Sequence, residues 1–228
     1  MLLPSDRTST KHYITIHTST LFDPQLITFT NNTSITIDTT TGLIVKVSQR
    51  ESELPNHTKA PDIDLRNQTI LPGLVDTPTH VFLHAYSETP ALNRKCDESL
   101  VESIVRATNH CRATLLAGYT TYRDLGTEEF GSADVNSRDS INRGIILGPR
   151  LFVATETIAS NSGYAIRQEN TGGTSVPRIS DPADGVDGVR AAVRRRLGVG
   201  ADIVKFYADY RKRQLRFPPP AWPGAPPL

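Results

Sequence analysis

The chain has 228 residues, of which 37% are hydrophobic and 21% charged, so it can bury a core and form one large domain or two small ones. Its 25 lysines and arginines balance 24 aspartates and glutamates, and a net charge of +1 gives no electrostatic reason to bind nucleic acid or an anionic membrane. Two cysteines, Cys96 and Cys111, are too few for a disulfide framework. No apolar run could span a bilayer, and the N-terminus is too polar for a signal peptide. We therefore expect a cytoplasmic protein with neither nucleic-acid nor membrane partners.

The segment from Tyr13 to Ile70 has the alternating pattern of short strands. Apolar residues alternate with Thr and Ser in "YITIHTSTLF", "LITFTNN" and "SITIDTTTGLIVKVSQ". Asp-Pro, Asn-Asn and Thr-Gly pairs separate these runs as turns. The pattern predicts a small antiparallel sheet of about four strands.

A helix with clear end signals follows the next apolar run, which covers residues 70–75. The helix is predicted over about residues 99–117. Ser99 and Glu102 can form a capping box at its start, and Gly118 follows its end. Cys111 lies within this helix and is expected in the core.

Beyond this helix, strands continue to alternate with helices. The pattern predicts, in order, a strand in "YTTYRDLG", a weak helix over 134–143, a strand in "GPRLFVAT", a helix over 183–197 and a strand in "ADIVKFYADY". Such a βαβα order implies parallel strands with right-handed crossovers. Two architectures satisfy it, an open doubly wound sheet and part of a (β/α)₈ barrel.

In either architecture, the chemistry is expected at the carboxyl ends of the strands. The side chains there come from Asp76 to His80, from Arg123 and Asp124, from Thr155 and Glu156, and from Lys205 to Tyr207. We expect Arg123 and Asp124 to form a structural ion pair.

The order and spacing of four motifs resemble those of the metal-dependent amidohydrolase superfamily; the motifs are "ILPGLVDTPTHVFLH", "AGYTTYRDLG", "GPRLFVAT" and "GADIVKFYADY". Within this superfamily, the resemblance is to the branch of imidazolonepropionase-like and prolidase-like enzymes. The resemblance extends from about Ile14 to Tyr210 and implies a (β/α)₈ barrel with a small β-sandwich. Residues 1–69 then form an N-terminal β-sandwich segment, 70–215 the first half of the barrel, and 216–228 a Pro-rich tail. Because about four of eight barrel strands can be counted, we expect an N-terminal portion of such a protein.

The resemblance also implies site residues. In the family, strand one ends in Asp-x-His-x-His, whose histidines bind a divalent metal, usually zinc, and strand four ends in a lysine that is carboxylated and bridges two metals. Asp76 matches the aspartate that opens the motif, His80 the second histidine and Lys205 the bridging lysine. The resemblance therefore implies His80 and Lys205 as metal ligands and Lys205 and Asp76 as catalytic residues.

Pro78 occupies the place of the first histidine ligand. Its ring has no lone pair to donate, although its fixed φ suits a strand end, so Pro78 should preserve the fold and damage the metal site. We therefore expect this chain to bind zinc, or another divalent metal, weakly or not at all. His84, four residues beyond His80 in the apolar "VFLHAY", is expected to be a packed histidine.

Two functions follow from these residues. The first is a metal-dependent hydrolase that cleaves an amide-type C–N bond in a small molecule, such as an N-acyl amino acid or a dipeptide. The second is a truncated or decayed family member that lacks a complete metal site and is not catalytic. A homo-oligomer is compatible with both.

Overall fold

A computed structural model describes residues 12–51, 60–161 and 179–208. The chain divides into two units, Met1–Pro72 and Gly73–Leu228, and combines several sheets with helices, which confirms the predicted α/β class. The tail predicted over 216–228 lies outside the described residues. No helix in the described ranges is long and apolar enough to cross a bilayer.

The first unit contains one four-stranded sheet. Its strands are β1 (Tyr13–Asp23), β2 (Thr28–Asp38), β3 (Leu43–Gln49) and β4 (Ile63–Ile70), in the order β3-β2-β1-β4. The predicted number of strands is confirmed, but the prediction of a wholly antiparallel sheet is wrong, because β4 pairs with β1 in parallel. Short turns join β1 to β2 and β2 to β3, which forces these pairs to be antiparallel. Strand β4 instead lies at the edge of the sheet opposite to β3, so the two are not a hairpin and β4 can pair with β1 in parallel.

The second unit begins with a parallel three-stranded sheet in the order β5-β6-β7, as the alternation of elements predicted. The strands are β5 (Leu74–Thr79), β6 (Tyr119–Asp124) and β7 (Arg150–Val153). The helices between them are α1 (Ala91–Asp97), α2 (Leu100–Leu116) and α3 (Ala133–Asn142). The sequence pattern had missed the short helix α1.

Helix α2 has the predicted ends. The Ser99 hydroxyl accepts a hydrogen bond from the Glu102 backbone N–H at 3.1 Å, which satisfies one of the free amides of the first turn. Gly118 ends the helix with a φ of +91°, a left-handed conformation that glycine adopts at low cost. Cys111 is buried on the inner face of α2, as predicted, and burial raises the pKa of its thiol to about 11.

A hydrophobic core fixes the sheet against these helices. It joins Val81 and Phe82, which follow β5, to residues of α2, β6, α3 and β7; the other buried members are Ala107, Cys111, Tyr122, Val135, Leu151 and Val153. Because Val81 and Phe82 are each only 2% exposed, the chain that leaves β5 is held firmly at His80.

The remaining elements are β8 (Thr157–Ala159), β9 (Ser180–Pro182) and α4 (Gly185–Gly198). Strands β8 and β9 pair in parallel, and α4 confirms the helix predicted over 183–197.

The prediction of a strand in "ADIVKFYADY" is wrong for the residues of this segment that the structure describes. They form a single bridge, between Phe206 and Ile158, and no regular strand. The start of this segment is held to β7 instead. The backbone N–H groups of Asp202 and Ile203 both donate to the Val153 carbonyl, and the Asp202 carboxylate accepts the Val153 N–H. This arrangement leaves little backbone for a regular ladder with β8.

Candidate active site

The structure brings together two of the predicted site residues, His80 and Lys205, from positions 125 residues apart. His80 directly follows β5, and Lys205 lies in the segment that bridges to β8. Lys205 Nζ lies 3.4 Å from His80 Nε2, at the long end of the hydrogen-bond range. The contact therefore lies at the carboxyl end of β5, the edge where parallel sheets place their chemistry.

The other ring nitrogen of His80 is also engaged. His80 Nδ1 donates to the Gly126 carbonyl at 2.7 Å, and the imidazole is about three-quarters buried. Burial lowers the pKa of His80, although the Gly126 hydrogen bond opposes this shift. The neutral imidazole is therefore favoured at neutral pH.

Asp124, the last residue of β6, lies beneath this pair. Its side chain is fully buried, and its Oδ1 is 4.0 Å from His80 Nδ1 and accepts the Gly126 N–H at 3.1 Å. Its Oδ2 is buried without a hydrogen-bond partner among the described residues. Burial, reinforced by the neighbouring Asp134 carboxylate, raises the pKa of Asp124 to about 7. Asp124 is thus a buried carboxyl group with a raised pKa that lies next to His80.

The predicted ion pair between Arg123 and Asp124 is wrong. Adjacent residues of a strand point to opposite faces, and Arg123 is exposed whereas Asp124 is fully buried. Strand alternation was therefore the signal in the sequence that could have assigned Asp124 to the buried face with Tyr122.

Lys205 is partly buried, and its Nζ lies 5.1 Å from the centre of the Tyr207 ring, within the range of a cation–π contact. Burial lowers the pKa of Lys205, while the Glu128 and Asp124 carboxylates oppose this shift. The amine is accordingly less basic than a surface lysine, and the charges of Glu128 and Asp124 act on it.

Glu128 is a site neighbour that the sequence did not reveal. Its carboxylate accepts from Lys95 Nζ at 2.8 Å and from the Arg94 guanidinium at 3.0 Å, and its φ of +66° is rare for a residue with a side chain. Burial raises the pKa of Glu128, but the hydrogen bond from Lys95 outweighs it and the pKa is lowered overall. No sequence motif marks Glu128, because its role depends on two cations contributed by α1.

Asp76 and Pro78 lie on β5, before this cluster. Asp76 pairs in register with Tyr122. Burial raises the pKa of Tyr122, and the charge of the Asp76 carboxylate raises it further. Within the described part of the chain, no hydrogen bond or ion pair joins Asp76 to His80 or Lys205. Pro78 is exposed and follows a cis peptide bond.

His84 is a buried histidine, as predicted, but its partner is charged. Its side chain is 3% exposed, and its Nε2 lies 2.7 Å from Glu98 Oε1. The apolar neighbours of His84 in the sequence gave no indication of this carboxylate, which directly follows the end of α1.

The donors of the described residues do not fit a zinc site. In residues 12–51, 60–161 and 179–208, no three His, Cys, Asp or Glu side chains are gathered around a point that could hold a metal ion. Zinc requires about four ligands at roughly 2.0 to 2.3 Å, whereas His80 has one nitrogen on a carbonyl and the other facing an amine. Pro78 supplies no donor atom.

We expect the purified chain to retain well under one zinc ion per molecule after dialysis, because one imidazole and one amine cannot form a closed coordination shell. Elemental analysis of the dialysed protein measures this directly. One or two tightly held zinc ions per chain would contradict the expectation.

The chain is similar to solved structures of hydrolases. A Xaa-Pro dipeptidase with methionine bound in its active site has a TM-score of 0.68 and 30% identity, over 86% of this chain and 47% of that one. A prolidase complexed with N-methylphosphonate-L-proline has a TM-score of 0.68 and 26% identity, over 86% of this chain and 46% of that one. An amidohydrolase has a TM-score of 0.66 and 29% identity, over 86% of this chain and 46% of that one. The chain thus spans about half the length of these proteins. The sequence matches no protein-family model and no curated protein.

Proposed function

Because the chain belongs to the metal-dependent amidohydrolase superfamily, we propose that it supplies the first part of a hydrolase that cleaves an amide-type C–N bond in a small molecule. The substrate is an N-acyl amino acid or a dipeptide. A Xaa-Pro dipeptidase and a prolidase among the similar structures support this class of substrate.

The observation that carries the proposal is the contact between His80 Nε2 and Lys205 Nζ. These side chains come from distant parts of the sequence and meet at the carboxyl ends of parallel strands. Burial lowers the pKa of both groups, and perturbed groups of this kind concentrate at functional sites. A merely structural role would not require a lysine and a histidine to face each other.

The proposed architecture follows from the family. Residues 70–215 form the first half of a (β/α)₈ barrel, and residues 1–69 form the β-sandwich segment. The parallel order β5-β6-β7 with intervening helices supports the barrel, as does the parallel bridge between Phe206 and Ile158 of β8.

The side chains of this chain have distinct proposed roles. Amide hydrolysis needs a group that takes a proton from water and a group that returns one to the leaving nitrogen. The neutral His80 ring offers its Nε2 lone pair to a proton or, in the completed protein, to a metal ion, and the Lys205 amine, whose pKa burial lowers, can exchange a proton in the site. Asp124 is too deeply buried to touch a substrate and acts beneath them. Asp76 is proposed to contribute from β5, and any divalent metal needs donors from outside the described residues.

A second candidate function is non-catalytic. It is favoured by Pro78, which stands where the family has a histidine and offers no donor atom. In that case the chain keeps the fold of the family and loses its chemistry.

The test uses a completed protein, in which the chain carries Pro78→His and is joined to the C-terminal part of one of the similar solved amidohydrolases. We expect hydrolysis of dipeptides or N-acyl amino acids that Lys205→Ala abolishes, because the amine belongs to the reacting centre. His84→Ala is the matched control, since it removes a buried histidine that pairs with Glu98 and should mainly affect packing. Equal rates with and without Lys205 would refute the proposal.

A further inference from the structure

The orientation of the His80 imidazole is set by a backbone carbonyl. His80 Nδ1 lies 2.7 Å from the Gly126 oxygen, and a carbonyl oxygen can only accept a hydrogen bond, so Nδ1 carries the proton. In the neutral ring, Nε2 then holds the lone pair, and this is the nitrogen that faces Lys205. A free histidine side chain prefers the opposite tautomer, with the proton on Nε2. The protein therefore has to impose the tautomer observed here.

Gly126 is held in place from two sides. Its φ of +105° lies in the left-handed region, and a Cβ added to it would lie 2.1 Å from the Thr155 carbonyl oxygen, far inside van der Waals contact. On the other side, its N–H donates to Asp124 Oδ1 at 3.1 Å. The close approach of the Thr155 backbone and the hydrogen bond to Asp124 position the Gly126 backbone, whose carbonyl lies at His80 Nδ1.

We infer that Gly126 is a positioning residue of the site, whose carbonyl fixes His80 as the Nδ1–H tautomer and presents the Nε2 lone pair to the reacting centre. Asp124 supports this arrangement by holding the Gly126 amide. The ring nitrogen of a functional histidine is commonly oriented by such a bond to its other nitrogen. The inference deepens the proposed function and rests on it for the use of Nε2, but the tautomer is a property of this chain alone.

The tautomer can be read from long-range ¹⁵N–¹H correlation spectra of the full chain labelled at its 6 histidines. Burial lowers the pKa of His80, so a sample at about pH 8 contains the neutral ring. We expect His80 to carry its proton on Nδ1. His110 is an internal reference for the fold, because its Nδ1 donates to the Val81 carbonyl at 2.9 Å.

Gly126→Ala should lower the Nδ1–H fraction of His80 below one half, because the new Cβ displaces the carbonyl. Gly118→Ala is the matched control: its φ is also positive, at +91°, but no atom lies within 4 Å of the added Cβ. It should leave His80 unchanged, and the His110 signals should be the same in both variants.

Two results would overturn the inference: a proton on Nε2 of His80 in the unmodified chain, or an unchanged His80 tautomer in folded Gly126→Ala. If Gly126→Ala loses the His110 signals and hence the fold, Asp124→Ala decides instead, because it releases the Gly126 amide without adding an atom. That variant should also lower the Nδ1–H fraction, and an unchanged tautomer would refute the positioning role. If both variants unfold, the tautomer of the unmodified chain decides. Failure of the hydrolysis test leaves this tautomer measurement untouched, so the two proposals fail separately.

Discussion

Replacing Pro78 with histidine is expected to leave the zinc affinity of the chain alone almost unchanged and to raise that of the completed protein by more than 100-fold. In the chain alone, two histidines and a lysine still lack further donors. In the completed protein, the substitution restores a direct ligand, which should matter more than the roughly 10- to 100-fold effect of residues that only orient ligands. Zinc titration followed by calorimetry measures both affinities, and amide hydrolysis should appear together with the tighter binding.

Pro78→Ala in the completed protein is the matched control, because it removes the proline ring without adding a donor. It should neither tighten zinc binding nor start hydrolysis. If the completed protein with Pro78 already hydrolyses amides as fast as Pro78→His, then Pro78 does not stand at a ligand position.

The second large effect concerns the buried carboxyl group of Asp124. We expect the difference in unfolding free energy between the unmodified chain and Asp124→Asn to change by about 3 kcal/mol between pH 5 and pH 8. Burial raises the pKa of Asp124 from 3.8 to about 7, so the folded state holds the proton more tightly than the unfolded state. The stability that this proton gives is complete below about pH 4 and is lost as the pH rises to about 7, at roughly 1.4 kcal/mol per pH unit.

Asparagine cannot titrate, so Asp124→Asn should not lose this stability as the pH rises. Its unfolding free energy should therefore increase relative to that of the unmodified chain. Urea unfolding of both proteins at a series of pH values, followed by tyrosine fluorescence, measures the difference. Asp97→Asn is a suitable control, because Asp97 is an exposed aspartate at the end of α1. A stability difference that stays constant from pH 5 to pH 8 would show that Asp124 ionises normally.

Local patterns predicted the elements whose residues carry local signals. The capping residues Ser99 and Glu102 and the glycine at 118 placed α2 within one residue at each end. Alternating Thr and apolar residues placed the strands of the first unit. The parallel pairing of β4 with β1 was missed because it depends on which edge of the sheet β4 joins rather than on the composition of either strand.

The site could be predicted only in part, for a physical reason. The motif at Asp76 to His80 and the lysine at 205 were visible because a family resemblance marks them. Gly126 and Glu128 were not, because their roles arise from a carbonyl direction and from ion pairs with distant cations. Sequence patterns report periodicity and residue type, and neither property encodes where a backbone carbonyl points.

We propose that His80 and Lys205 act in one reacting centre, and a double-mutant cycle in the completed Pro78→His protein tests this claim. His80→Ala and Lys205→Ala are measured singly and together, with the rate of amide hydrolysis as the readout. Residues that act as a unit are strongly non-additive, so we expect the double variant to be no slower than the slower single variant within about threefold. Losses that multiply would show that the two residues act independently and would contradict the claim.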